Sequence, residues 1–377
     1  MNAAGLRERV LAAARACGAD AVRIAPADPQ TWTRERFAAA VGRGDLQTWP
    51  YDERYAARAA DPRTLLDQAR SVVCVAVAYA TPAQQPARGR GRVSNYAWSD
   101  DYHRRMRALL DALAGELQSL GAATAIACDT APVAERAFAE RAGVGWIGKH
   151  TNLIAPGLGS YVFLGEVVTS LPLEPDAPLK KSCGACARCV TACPTGALRG
   201  DYTLDATRCI SDLTQRTGPI PRELRPLIGT WVWGCDLCQE ACPPTQRAPR
   251  TAAAFAPLDD ETRAPSLTAL LALRSGEFKR RYARTALGWR GAALLRRNAA
   301  VALGNELDRA AVPALEAALA GDPHPLVRGH AAWALGRIGS PRALAALRAR
   351  LGQESDGLAA DEIEAALLCI SEPARVG

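Results

Sequence analysis

Cys183-Gly-Ala-Cys-Ala-Arg-Cys-Val-Thr-Ala-Cys-Pro194 opens the stretch that decides how this chain is read. It sets Cys183, Cys186, Cys189 and Cys193 at spacings of two, two and three residues, directly before Pro194. Cys209 follows alone, then Cys235, Cys238 and Cys242, again ahead of a proline, Pro243. Cysteine runs of this spacing ligate iron–sulfur clusters, three on one cluster and the fourth on a second. The proline ends the local helix and turns the chain away. By that rule Cys183, Cys186, Cys189 and Cys242 hold one [4Fe–4S] cluster. Cys193, Cys209, Cys235 and Cys238 hold the other. A lone Cys-X-X-Cys also suits a zinc knuckle or a redox pair. Eight cysteines in this register, with no histidine between Cys183 and Cys242, fit neither, and fit disulfides no better. The implied chemistry is passage of electrons, one at a time.

The chain has 377 residues, enough for two or three domains with their own cores. Twelve cysteines are present. Cys17, Cys74, Cys128 and Cys369, outside the array, lie in apolar contexts and read as buried free thiols. No charged-then-apolar leader precedes Leu6, and no run is long enough to span a bilayer. Free thiols beside cluster cysteines suit a reducing cytoplasm. The net charge of +7 comes with heavy use of arginine, so its distribution matters more than its sum.

The apolar pattern predicts a mixed α/β domain over residues 1–171. Leu6 to Cys17 is an amphipathic helix, Ala21 to Ala25 a short strand, and Glu35 to Val41 a helix. Ser71 to Tyr79 is apolar nearly throughout, as in a strand covered on both faces. Pro82 to Val93 is a loop. Asp101 to Leu120 is a long helix with Met106, Leu109, Leu110, Leu113, Leu117 and Leu120 on one stripe. Ala123 to Cys128 is a further strand. A ferredoxin-like two-cluster segment occupies 172–250. A linker and an all-α region fill 251–377. There Arg297-Asn-Ala-Ala-Val-Ala-Leu-Gly304 is echoed by Gly329-His-Ala-Ala-Trp-Ala-Leu-Gly336. That is a short helical repeat of the HEAT type.

Ahead of the cysteines stand Cys128-Asp-Thr-Ala-Pro-Val-Ala-Glu-Arg136, Ala142-Gly-Val-Gly-Trp-Ile-Gly-Lys-His-Thr-Asn-Leu-Ile154 and Gly159-Ser-Tyr-Val-Phe-Leu-Gly-Glu-Val-Val168. Asp129 closes a strand, a common place for a catalytic group and equally for a helix cap. Pro132 and Glu135 suit a helix entry. Glycines 143, 145 and 148 do not make the dinucleotide fingerprint. They are expected to let backbone approach a large flat ligand.

With these segments in view the chain resembles epoxyqueuosine reductases, cobalamin-dependent iron–sulfur enzymes that complete queuosine in tRNA. The likeness runs through Asp129 to Arg136, Arg141 to Trp146, Gly159 to Leu164 and the eight cysteines. It continues through Cys209-Ile-Ser-Asp-Leu-Thr-Gln215, Gly234-Cys-Asp-Leu-Cys-Gln239, Asp101-Tyr-His103 and Trp289-Arg-Gly291. The chain departs from the pattern at His150, where asparagine is usual, and over Glu53 to Pro62, where an arginine stands one residue away.

The resemblance implies a cobalamin near Arg58, Ser94, Asp129, Leu153, Leu164, Val167, Ser211, Asp236 and Leu237. A mostly apolar set suits a large, mostly apolar plate. It implies Asp129 as the proton donor when the epoxide oxygen leaves. A free aspartate is protonated about one part in a thousand at neutral pH. The expectation is therefore a carboxyl raised by burial, with no cation close by. The implied substrate is a wobble base in a tRNA anticodon stem-loop, splayed into a pocket. Phosphates would meet Lys279, Arg280, Arg281, Arg284, Arg290, Arg296 and Arg297, a basic run with few acids beside it in sequence. Arg216 and Thr217 are placed near the substrate mouth. His103, His150, His324 and His330 read as ordinary. A reductive dehalogenase and a plain electron carrier are the alternatives. The leader expected of the first is not seen, and the second would not need the α/β domain. A monomer and an unidentified low-potential electron donor complete the reading.

Overall fold

The computed structural model describes residues 3–82 and 85–371, which leaves positions 83 and 84 of the Pro82–Val93 loop outside the described residues. The chain divides into two compact units. The first is built from Met1–Pro82, Asp101–Thr207 and Asp236–Ala256; the second from Ala83–Asp100, Arg208–Cys235 and Pro257–Gly377.

The first unit is organised on a four-stranded sheet in the order Ala21–Pro26, Ser71–Ala78, Val162–Thr169, Thr124–Ala127. Every pairing in it is antiparallel. The apolar run Ser71–Ala78 is an inner strand, as its composition predicts, but its neighbours run against it rather than with it. Full coverage, not parallel pairing, is what its sequence reports. The helix Tyr102–Ser119 covers one face with Met106, Leu109, Leu110, Leu113 and Leu117, all buried. It lies so close that a Cβ on Gly165 would stand 2.9 Å from Leu110. The other face lies under Glu135–Arg141, through Phe138 and Ala139. Of the four cysteines outside the array, Cys74 is buried, Cys17 and Cys128 are half-buried, and Cys369 is exposed on the last helix. The expectation of burial fails at Cys369, because that face of the terminal helix has no partner layer among the described residues.

The second unit is mainly helical. Ala292–Glu306, Val312–Gly321, Pro325–Ile338, Pro341–Leu351 and Gly357–Ser371 pack in sequence around one apolar core. The echoed motifs fall on the first and third of these helices, with the period-related glycines at their contacts. A Cβ on Gly304 would come within 2.8 Å of Trp333, and one on Gly336 within 2.8 Å of Ala366.

Arg296 and Arg297 do not face solvent. Arg297 is wholly buried and donates to the carbonyls of Leu213, Arg216 and Gly218 at 2.7–2.9 Å. Its guanidinium caps the carbonyl end of the helix Ile210–Gln215, where a positive charge is favoured. Burial, then Arg216 and Arg225, push its pKa down to about 9, so it stays charged at neutral pH. Asn298 adds bonds to the carbonyls of Thr214 and Val232, both 2.8 Å. Arg296 is buried against Asp322. The phosphate role expected of these two arginines is therefore replaced by a structural one. Arg297, with Asn298, holds the backbone that follows Cys209 and precedes Cys235, while Arg296 holds Asp322 and the Leu273 carbonyl.

Arg297→Ala should lower stability by about 3 kcal/mol in urea unfolding, since several carbonyls lose their donor at once.

Candidate functional site

Asp129 ends the strand Thr124–Ala127 and opens a loop without glycine, in which Thr130 N–H meets the Cys128 carbonyl at 2.5 Å and Val133 N–H the Ala131 carbonyl at 2.8 Å. Its backbone is left-handed, with φ of 54°, a conformation that is costly for a residue carrying a Cβ. Its N–H donates to Glu135 Oε1 in a short bond. The side chain is 58 % exposed, and its Oδ2 lies 3.1 Å from His103 Nε2. On the far side of that ring Nδ1 lies 2.6 Å from Asp101 Oδ1. Hydrogen bonds to Asp101 first and Asp129 second raise the imidazole to about 9. His103 is thus a cation at neutral pH. The expected acid, buried and far from any cation, is not what the fold builds. The carboxyl is open to the site, and a protonated imidazole stands beside it.

Sequence reading passed over His103 as ordinary. The signal was present in Asp101-Tyr-His103, since an Asp at a helix N-cap two residues before a His can reach its ring. The other three histidines are structural. His150 is buried and driven down to about 4, chiefly by desolvation. His324 caps the helix Pro325–Ile338, and His330 accepts from Ile220 N–H at 3.2 Å.

Asp129 forms part of the wall of a cavity of about 690 Å³. Its other walls include Trp32, Phe37, Tyr51, Tyr55, Arg36, Arg136 and Lys181. Phe37, Tyr51 and Tyr55 form an aromatic cluster with ring centroids 4.7–5.7 Å apart. Trp32 is 58 % exposed, with the Arg36 guanidinium 4.8 Å over its ring. None of these residues was singled out in sequence, because single aromatics on a helix read as core.

The cobalamin candidates divide between the units. Arg58, Asp129, Leu153, Leu164, Val167, Asp236 and Leu237 belong to the first; Ser94 and Ser211 to the second. Leu153, Val167, Asp236 and Ser94 are at most 3 % exposed, so they support a surface rather than form it. Leu164, Leu237 and Ser211 are half-buried. Arg58 is exposed, its guanidinium 5.8 Å from the Tyr55 ring centroid. A cation, a carboxylate and aliphatic surface are the donor set that an apolar plate rimmed with amides needs, so the residues present fit the group. The glycines play another part. A Cβ at Gly143 would stand 2.4 Å from the Ala177 carbonyl oxygen, and one at Gly145 2.4 Å from that of Ile154. They allow protein backbone, not a ligand, to approach.

The cysteines support the cluster reading within the first unit. Burial raises the Cys189 thiol, and the neighbouring Cys183 and Cys242 raise it further. Cys242 in turn lies in the field of Cys183 and Cys186. Four thiols from two distant segments stand together, the donor set a cubane cluster requires. Among the described residues no three His, Cys, Asp or Glu side chains converge on a single-ion site. Cys193 and Cys238 belong to the first unit, Cys209 and Cys235 to the second.

The basic candidates split likewise. Lys279, Arg280 and Arg284 are exposed, as is Thr217. Arg281 pairs with Glu261 and Glu277, Arg284 with Asp100, and Arg216 with Asp212. Glu261 and Asp100 are brought in by the fold, while Glu277 and Asp212 stand one helical turn away in sequence. Arg290 is half-buried and lies 3.7 Å over the Trp289 ring.

Three family models match the chain. The 4Fe-4S double cluster binding domain covers 182–245 and so all eight array cysteines. The model described as "Epoxyqueuosine reductase QueG, DUF1730" covers 59–130, and HEAT repeats cover 290–367. Epoxyqueuosine reductase of Bacillus subtilis is 36 % identical over 322 residues, spanning 84 % of this chain and 83 % of that protein. The Gloeobacter violaceus protein of the same name is 40 % identical over 303 residues, 77 % of this chain and 93 % of that protein. A crystal structure of epoxyqueuosine reductase with an epoxyqueuosine-modified tRNA-Tyr stem loop superposes with a TM-score of 0.92 at 36 % identity, over 98 % of this chain and all of that one. The Bacillus subtilis structure with its catalytic aspartate loop swung out of the active site gives 0.90 at 35 % identity, over 98 % and all of the respective chains.

His103 should titrate near 9 by NMR, and in Asp101→Asn it should fall toward the ordinary ~6.5. Because the folded value is the raised one, the pairing stabilises fully below the ordinary value and is lost as pH rises through about 9.

Proposed function

The chain belongs to the epoxyqueuosine reductase family, and on that premise we propose that it reduces epoxyqueuosine to queuosine in tRNA with Asp129 and His103 as its proton-handling pair. Relatives at 34–40 % identity bear that name, and a solved relative carries the modified tRNA stem loop. Membership sets aside the dehalogenase and carrier alternatives. The reaction converts an epoxide, two electrons and two protons into an alkene and water. The observation that carries the assignment is the open Asp129 carboxyl at a cavity wall, 3.1 Å from a protonated imidazole.

When bound, two [4Fe–4S] clusters supply single electrons and cobalamin supplies a low-valent cobalt at which they are used. Cys183, Cys186, Cys189 and Cys242 would hold one cluster, and Cys193, Cys209, Cys235 and Cys238 the other. Arg58, Asp129, Leu164, Ser211 and Leu237 would face the corrin. The protein's own task is the proton. C–O cleavage leaves an alkoxide, which needs an acid as the bond breaks. Asp129 Oδ2 presents that proton. His103 Nε2 lies within hydrogen-bond reach to replace it, and Asp101 keeps the ring turned toward Asp129. The aromatic and cationic side chains of the cavity suit an unstacked nucleotide, through ring stacking and phosphate contact. Lys279 and Arg280 are the exposed cations of the repeat-side run left for the stem. No helix among the described residues is long and apolar enough to cross a membrane. A cytoplasmic monomer fed by a low-potential donor is part of the same reading.

Asp129→Asn should retain cobalamin and about eight irons per chain while losing ~100-fold or more in turnover. An unchanged rate in that variant, assayed on epoxyqueuosine-tRNA, would remove Asp129 from the mechanism. For Lys279→Ala, tRNA affinity should drop and the slope of log K against log salt should become shallower by about one. An unaltered slope would place the stem elsewhere.

A further inference from the structure

Two further carboxyls, Glu135 on the wall of the same cavity and Glu166 on the sheet, are not used by the proton chemistry. Glu166, on the inner strand Val162–Thr169, is wholly buried, and neither of its oxygens finds a hydrogen-bond partner. Glu135, in the first turn of the helix Glu135–Arg141, acts on it electrostatically. Glu135 also makes the contact that matters, accepting the backbone N–H of Asp129. Asp129 therefore sits in a left-handed conformation, in a loop with no glycine, pinned by one carboxyl.

We propose that Glu135 is the positioning residue for Asp129, clamping its backbone N–H so that the catalytic loop stays in its working conformation, with Glu166 as the buried wall behind the clamp. The inference rests on the assignment of Asp129 as the acid. A left-handed aspartate is strained and persists where its surroundings impose it. The Glu135 bond is such an imposition, and an ionised acceptor makes it roughly twice as strong as a neutral one. A Bacillus subtilis relative has been captured with its catalytic aspartate loop swung out, so a loop of this kind has a second position.

The groups around Glu135 decide when the clamp is charged. Glu166 and Cys74 face it from the sheet, and Cys128 and Asp129 from the loop. His103 and Tyr55 reach it from neighbouring helices, and Arg136 follows it on its own. Burial is the largest influence and lifts its carboxyl to about 7. The folded value is raised, so the ionised clamp forms as pH rises through about 7 and is lost below it.

The test uses the cluster- and cobalamin-loaded enzyme with epoxyqueuosine-tRNA, and limited proteolysis of the 128–134 loop without substrate. Glu135→Ala should lower kcat about tenfold or more at unchanged KM, and should speed cleavage of the loop. Glu135→Gln keeps an oxygen at the same place and should restore most of both. The ratio of wild-type to Glu135→Gln kcat should rise about twofold or more from pH 6 to pH 8, since the shared chemistry cancels and the charge of the clamp remains. Wild-type kcat in Glu135→Ala, a loss confined to KM, or a glutamine variant no better than alanine would each overturn the proposal. Should the alanine variant fail to fold, a flat pH ratio for the glutamine variant does so. Asp129→Asn, run beside them, separates the two ideas. Full activity there sinks the acid assignment, while proteolysis still reads the clamp.

Discussion

Cys183, Cys186, Cys189 and Cys242 lie in one another's electrostatic fields, and the chain brings them together from segments far apart in sequence. Cys183, Cys186 and Cys189 lie on one pass through the first unit, and Cys242 on another. Between them the chain leaves for the second unit over Arg208–Cys235 and returns at Asp236. The array is therefore spread over separate passes of the chain. It also explains why a helical-repeat region spends two buried side chains, Arg297 and Asn298, on the backbone around Cys209 and Cys235. Those hydrogen bonds act beside the buried Ile210, Leu213, Trp231, Val232 and Trp233 of the same segment.

The proton side of the site follows a different logic. A buried aspartate would keep its proton through desolvation, at a cost in stability. Here the Asp129 carboxyl is open to the cavity and hydrogen-bonded to His103. Asp101 and Asp129 bracket the His103 ring, and the two bonds raise its pKa to about 9. The carboxyls that are raised are Glu135, on the cavity wall at the start of the helix after the loop, and Glu166, buried on the sheet.

Charge counting in sequence misleads for a related reason. An arginine run looks free when no acid is adjacent in the chain. Folding supplies Asp322 to Arg296, Glu261 to Arg281, Asp100 to Arg284 and backbone carbonyls to Arg297. What remains exposed on that stretch is narrower than the sequence suggests, with Lys279 and Arg280 its clearest members.

Cysteine spacing, apolar periodicity and the repeated Asn-Ala-Ala-like motif were enough to read the cluster array, the main strands and helices, and the helical-repeat end. Each is a local pattern, set by ligand reach or by the pitch of a helix or strand. The antiparallel order of the sheet, the role of His103, the aromatic cavity and the burial of Arg297 were not legible. They depend on which residues meet across long separations, and no spacing rule encodes that. Gly143 and Gly145 show the difference most plainly. Their need for space was readable, but only the fold decides that a carbonyl oxygen occupies it, because close packing is settled between segments and not within them.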